Sequence, residues 1–217
     1  MNATIIIADD HAVVRQGLCT FLEHSGYKVI AEAESGEQAC QAWQEHPADL
    51  LLLDLDMPGI GGMEALRRIK ARHKTAKVLV FSMFEDTAHA SQALQAGARG
   101  YVVKSDTPDM LLEAVRTVLK GDRFIGHGVA QQMAVERLSG DAPLSSLSAR
   151  EFEVFTRLAS GMPLPDIAEQ LHIGYKSAAN IQTQIKQKLN VKTTAQLIHL
   201  AFRHGITPKW EENPASQ

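Results

Sequence analysis

Two cysteines in 217 residues, Cys19 and Cys40, leave no basis for a disulfide framework or a zinc cluster. Both stand in helix-like apolar patterns rather than in a C-x-x-C spacing, and both read as core residues. Apolar runs of about 18 residues are missing, which argues against a membrane-spanning helix. The first ten residues already contain Asp9 and Asp10, which does not suit a secretory leader. Internal repeats and low-complexity tracts are also lacking. These absences point to an ordinary globular protein of the cytoplasm.

What is present suffices for proper cores, since 45% of the residues are hydrophobic and the length suits one large domain or two small ones. The net charge of -3 conceals an asymmetry. Residues 1 to 143 carry 14 Lys and Arg against 19 Asp and Glu, whereas residues 144 to 210 carry 8 against 4. An acidic half followed by a basic half suggests two jobs, although chance can produce such a split.

From Thr4 to about Lys120, short apolar runs alternate with segments of helical period. The runs are Ile5 to Ala8, Val29 to Ala33, Leu50 to Leu53, Val78 to Phe81 and Tyr101 to Val103. Between them, sets such as Val14/Leu18/Phe21/Leu22, Met63/Leu66/Ile69 and Leu111/Ala114/Val115/Val118 recur at spacings of three and four. Five such units predict a doubly wound α/β domain over residues 1–120, because parallel strands need helical crossovers. A site is expected at the C-terminal edge of its five-stranded sheet. Gly121, Gly126, Gly128, Gly140 and Pro143 then punctuate residues 121–143, which read as a linker with one short helix around Val129 to Leu138. An all-α domain follows over 144–208, opened by a capping box at Ser148 and Glu151, with helices at about 149–160, 164–171, 176–190 and 194–204. Residues 209–217 read as a polar tail.

Asp9 and Asp10 directly follow the first strand and Asp54 the third, so three carboxylates converge on one pocket. Together they require a cation, and clustered carboxylate oxygens suit Mg2+, which keeps waters and leaves room for a phosphate. Singly, each could be a solvated loop residue; all three at strand ends is a far more specific pattern. Ser82 after the fourth strand offers a hydroxyl, and Lys104 after the fifth offers a positive charge for a phosphoryl oxygen. Phosphoryl transfer to a carboxylate needs in-line positioning and charge neutralisation, and Asp54 has the central position for the nucleophile.

The ordered set I-A-D9-D10-H, L-L-L-D54-L-D-M-P58-G, F-S82 and Y101-V-V-K104 resembles a CheY-like response-regulator receiver over residues 4 to 120. The resemblance implies a flavodoxin-like fold and an Asp54 phosphorylated by a sensor histidine kinase or a small phosphodonor. It also implies Mg2+ held by Asp10, Asp54 and the backbone carbonyl of Asp56, with Asp9 acting through water. Ser82 and Tyr101 match the family's switch positions, where the hydroxyl moves toward the phosphoryl group and the ring turns inward. On pattern alone, Tyr101 reads equally as an ordinary strand tyrosine.

In the second domain, Ala178, Ile181, Ile185 and Leu189 form one stripe of a helix, leaving Lys176, Asn180, Thr183 and Gln187 on the opposite one. That polar stripe suits base edges, with Asn matched to adenine and Thr able to offer a hydroxyl or a methyl. Lys186, Lys188 and Lys192 flank it as phosphate contacts, and Ala179 lies beside it. A plain solvated face is the alternative. The segments L147-S-x-R-E151, L158-A-S-G161, I167-A-E-Q-L171, K176-S177 and I185-K-Q-K-L189-N-V resemble a LuxR-type helix-turn-helix domain, and with the receiver they resemble a NarL/FixJ-type regulator. That resemblance implies binding to double-stranded DNA, a homodimer on activation and no membrane partner. Three departures stand out: Pro163-Leu-Pro165 where a Ser/Thr cap is usual, Ala178 and Ile181 for Val and His/Tyr, and a small Ala179.

The resulting expectation is a phosphorylation-controlled transcription factor rather than an enzyme. Its nearest rival is a constitutive DNA-binding regulator whose receiver only dimerises. A haloacid-dehalogenase-like phosphatase shares the D54-x-D56 pattern, but its motif belongs on the first strand.

Overall fold

The computed structural model describes residues 2–139 and 143–206. They fall into two compact units, divided between Ser139 and Gly140. The polar tail expected at 209–217 lies outside the described residues.

In the first unit, strands β1 (Thr4–Ala8), β2 (Lys28–Ala33), β3 (Leu50–Leu53), β4 (Val78–Ser82), β5 (Gly100–Val103) and β6 (Phe124–Ile125) form one sheet in the order β2-β1-β3-β4-β5-β6. Every pairing is parallel. The crossovers are helices α1 (Ala12–His24), α2 (Gly36–Glu45), α3 (Gly61–Arg72), α4 (Thr87–Gln95) and α5 (Pro108–Lys120), with α6 (His127–Ser139) after β6.

Strand residues alternate between two cores, as the pleat dictates. Ile6, Leu51, Leu53, Val80 and Tyr101 face α2, α3 and α4, where Ala39, Leu66, Ile69 and Ala93 meet them. Ile5, Ile7, Leu50, Leu52, Leu79 and Val102 face α1 and α5 through Leu18, Leu22, Leu111 and Val115. Burial on both faces explains why β3 reads L-L-L-L without alternation. Cys19 and Cys40, expected in the core, are half-buried at its margins. Burial, with Glu32 and Glu23 adding to it, pushes the Cys19 thiol up to about 11, and burial raises Cys40 as well.

The sheet departs from the expected five strands. Residues 121–139, read as linker, contain β6 and α6 and belong to the first unit. Phe124 and Ile125 pair with Gly100 and Tyr101, Phe124 is buried in the α1/α5 core, and Val129 of α6 enters the other. A two-residue strand has no period to detect, and Gly121 and Gly126 mark the turns on either side of it within the domain.

The second unit contains a 3-10 turn (Pro143–Ser146) and helices α7 (Ala149–Ala159), α8 (Leu164–Gln170), α9 (Tyr175–Lys188) and α10 (Thr194–Arg203). The expected capping box is formed: Ser148 Oγ accepts the Glu151 N–H at 3.3 Å, and Glu151 Oε2 accepts the Ser148 N–H at 2.6 Å. A second box, Thr193 with Gln196, opens α10. Its T-x-x-Q spacing was available in the sequence. Pro163 stands at the N-cap of α8 without a side-chain bond, which an α-helix tolerates because first-turn amides lack helical partners. Phe152, Phe155, Ile167, Ala178, Ile185 and Leu197 are buried within the unit. Among the described residues, no helix is long and apolar enough to cross a membrane.

Candidate functional site

Sheet register brings the polar residues of the first unit together. Ala8 lies beside Leu53, and Ser82 beside Val103. The residues that follow β1, β3 and β5 therefore emerge along one edge. Asp9 and Asp54 are buried there, whereas Asp10 is exposed. Lys104 Nζ lies 2.7 Å from Asp54 Oδ2 and 2.7 Å from Asp9 Oδ2. The ammonium thus bridges the two buried carboxylates. The Asp56 N–H donates to Asp54 Oδ1 at 3.2 Å. Gly62 at the start of α3 packs so tightly that a Cβ there would fall 1.9 Å from the Asp54 carbonyl oxygen, and any side chain would push this backbone aside.

Burial pushes the Asp54 carboxyl above its ordinary value and the Asp9 charge adds to the rise, while Lys104 opposes both. Burial works to lower Lys104 in turn, but its two carboxylate partners outweigh it and hold the ammonium above the usual lysine range. Ligand atoms of Asp9, Asp10, His11 and Asp54 all lie within 4.8 Å of one another. Three carboxylates against one ammonium leave excess negative charge and make an oxygen donor set that fits a hard divalent cation. His11, quoted in the sequence motif only as a neighbour, is a member of this cluster.

Ser82 is fully buried, and its Oγ accepts the Phe84 N–H at 3.4 Å. Tyr101 is also fully buried, pointing inward, with its hydroxyl donating to the Phe84 carbonyl at 2.8 Å. Burial drives its phenol well above the ordinary value. The loop that receives this bond continues into α4, where Asp86 caps the helix and pairs with His89 at 2.7 Å, and His89 stacks on Phe84. Thr87 Oγ donates to the Glu136 carboxylate of α6 at 2.7 Å.

In the second unit α8 and α9 are joined by Leu171–Gly174, a turn in which His172 has a φ of 51°. Arg150 Nη2 of α7 donates to the Leu171 carbonyl and holds that turn. Ala178, Ile185 and Leu189 are buried as expected; Lys176, Asn180, Thr183 and Gln187 are exposed on the other side of α9. Thr183 Oγ donates to the Ala179 carbonyl, which leaves its methyl and an acceptor lone pair for a ligand. Ala179 and Lys186 are half-buried at the margin of this face, and Lys192 is exposed beyond the helix. Lys188 is exposed as well, and its ammonium sits 2.6 Å from Glu151 Oε2 and 3.3 Å from the Ser146 carbonyl, so it also ties α9 to the start of α7.

A buried carboxylate cluster at a parallel-sheet edge, combined with a separate helical unit presenting a polar helix, is an arrangement that suits a two-part signalling regulator. Residues 5–116 match the response regulator receiver domain, and residues 145–201 match the bacterial regulatory proteins of the luxR family. The chain belongs to the response regulators and carries a LuxR-type DNA-binding domain. It is 42% identical over 207 residues to the transcriptional activator protein ExaE of Pseudomonas putida, a match covering 93% of this chain and 97% of that one. Response regulator UvrY of Escherichia coli K12 is 34% identical, over 93% of this chain and 94% of its own. Among solved structures, RcsB of Salmonella enterica serovar Typhimurium, bound to promoter rprA in the presence of phosphomimetic BeF3-, aligns with a TM-score of 0.75 at 26% identity. That alignment covers 92% of this chain and 98% of RcsB.

Proposed function

We propose that Asp54 accepts a phosphoryl group from a sensor histidine kinase or a small phosphodonor, and that its phosphorylation controls dimerisation and binding to double-stranded DNA. The observation that carries this reading is the buried Asp54 with Lys104 at 2.7 Å and two further carboxylates beside it. In the transfer, an Asp54 carboxylate oxygen attacks phosphorus as the bond to the donor's nitrogen or oxygen breaks, and the donor leaves with that electron pair. Lys104 neutralises a phosphoryl oxygen, and Ser82 offers its hydroxyl to another. Mg2+, held by Asp10, Asp54 and the Asp56 backbone carbonyl with Asp9 acting through water, would supply charge neutralisation for the phosphoryl oxygens. Tyr101 then holds the loop beyond Ser82 through its bond to Phe84.

In the second unit Asn180, Thr183 and Gln187 read base edges, with Ala179 leaving room beside them. Lys176, Lys186, Lys188 and Lys192 contact phosphates. That RcsB has been captured on promoter DNA with a phosphoryl mimic supports this division of labour. Intact-mass measurement after incubation with acetyl phosphate and Mg2+ should show one added phosphoryl group, lost in Asp54→Ala. Labelling that persists in the variant would place the nucleophile elsewhere.

A further inference from the structure

Helices α4 and α6 are neighbours that do not close on each other along their length. The Thr87 hydroxyl of α4 donates to the Glu136 carboxylate of α6 at 2.7 Å, which ties the pair at a fixed spacing. Away from that tie the lining residues of both helices include small ones, Ser91 on α4 with Ala130 and Ala134 on α6, too short to fill the space between them. What remains is a cleft of about 820 Å3 within the first unit, inside the range of roughly 300–1,000 Å3 usual for small-molecule sites.

The cleft is largely aliphatic. Leu94, Ile125 and Met133 line it half-buried, and Leu138 is 89% exposed at its rim, where an apolar side chain gains from being covered. Among the described lining residues Arg123 alone is charged, and it is exposed directly before β6. Its guanidinium pairs with no described carboxylate, so its charge is unmatched among the described residues. An apolar cavity with a single cation at its edge complements an amphipathic anion, and a planar guanidinium meets a carboxylate through two parallel hydrogen bonds.

We infer that the cleft between α4 and α6 binds a straight-chain aliphatic carboxylate, with its alkyl chain against Leu94, Ile125 and Met133 and its headgroup on Arg123. This site shares no residue with the Asp54 pocket and does not depend on phosphorylation there. The fixed spacing of the helices leaves the cavity ready-made, so little ordering opposes the ligand.

The test titrates the full chain with octanoate. Calorimetry should show one molecule bound per chain. In protein labelled with 13C-methyl methionine, the Met133 resonance, assigned through Met133→Leu, should move during the titration. 1-Octanol, with the same alkyl chain and no charge, should bind roughly tenfold more weakly. Arg123→Gln should weaken octanoate to the level of octanol and leave octanol unchanged. Ala134→Leu, which fills the cleft from an exposed helix position, should abolish uptake of both at an unaltered thermal midpoint. Octanoate that fails to bind, that binds without moving Met133, or that binds equally well in the two variants would overturn the inference. So would a dimer formed through the cleft in place of uptake, seen by light scattering and dissolved by Leu138→Gln.

Discussion

Lys188 projects from the flank of α9 toward the start of α7, where it supplies the counter-charge for a buried Glu151. Burial alone would raise the Glu151 carboxyl, but Lys188 and the Ser148 donors outweigh it and hold the group below its ordinary value of 4.5. A carboxyl depressed on folding adds stability that is present above its unfolded pKa and lost as pH falls through the folded one. This contribution is therefore present at pH 7 and disappears below about pH 4.5. Lys188→Ala is expected to cost about 1–2 kcal/mol at pH 7 and less at pH 3, read from urea titrations at both values. Equal losses at the two pH values would detach Lys188 from the cap. Lys186 stands on the outer side of the same helix: Lys186→Ala should weaken binding to all DNA sequences alike. Asn180→Ala should instead change the preferred site at a cost of roughly 1–3 kcal/mol. Residue types alone placed all of these on one helix. The direction in which Lys188 reaches depends on a partner 37 residues away, which no helical wheel contains.

Among the elements, α4 and α6 are tied by the bond from Thr87 to Glu136. Thr87 is the first residue of α4, directly after the Asp86 cap, so a polar contact joins the loop that Tyr101 holds to the helix ending the first unit. Thr87→Val keeps the shape and removes the donor. It should lower the stability of the first unit by about 1–2 kcal/mol, measured by denaturant titration, with Thr87→Ser recovering most of the loss. An unchanged midpoint in the valine variant would show the contact to be idle. The α1 to α5 crossovers and the strands before them were legible because each is long enough to display a period, and because strand ends carry the conspicuous residues Asp9, Asp54, Ser82 and Lys104. Within 121–139 the helix expected around Val129 to Leu138 is present as α6, but neither β6 nor the attachment of the stretch to the first unit was legible. Two strand residues show no alternation, and α6 exposes Val135 and Leu138 while burying Val129, so its apolar residues define no clean stripe. His11 escaped for a different reason. A histidine beside two aspartates is common in any solvated loop, and only the fold brings its Nδ1 to 2.7 Å from one of them.

At the scale of the whole molecule, the acidic and basic halves correspond to the two units, one built around a carboxylate pocket and the other around an exposed polar helix. Phosphorylation is expected to tighten DNA binding of the full chain by roughly 5- to 150-fold, the range of ordinary allosteric couplings. The binding should fall steeply with added salt. Titrating one operator with unmodified and phosphorylated protein, while following mass by light scattering, checks both the affinity and the accompanying dimer. Identical affinities and masses would leave a constitutive regulator.

The short β6 has a practical bearing on how the first unit can be isolated. It covers the free side of β5, with the Phe124 N–H bonded to the Arg99 carbonyl and the Gly126 N–H to the Tyr101 carbonyl. A fragment ended at Lys120, just past the family match, would strip that cover. An uncapped row of backbone donors and acceptors beside the apolar G-Y-V-V segment is a template for chain-to-chain pairing. Fragments 1–120 and 1–139 should thus differ in colloidal behaviour more than in secondary structure, the shorter one precipitating on concentration while the longer stays monodisperse.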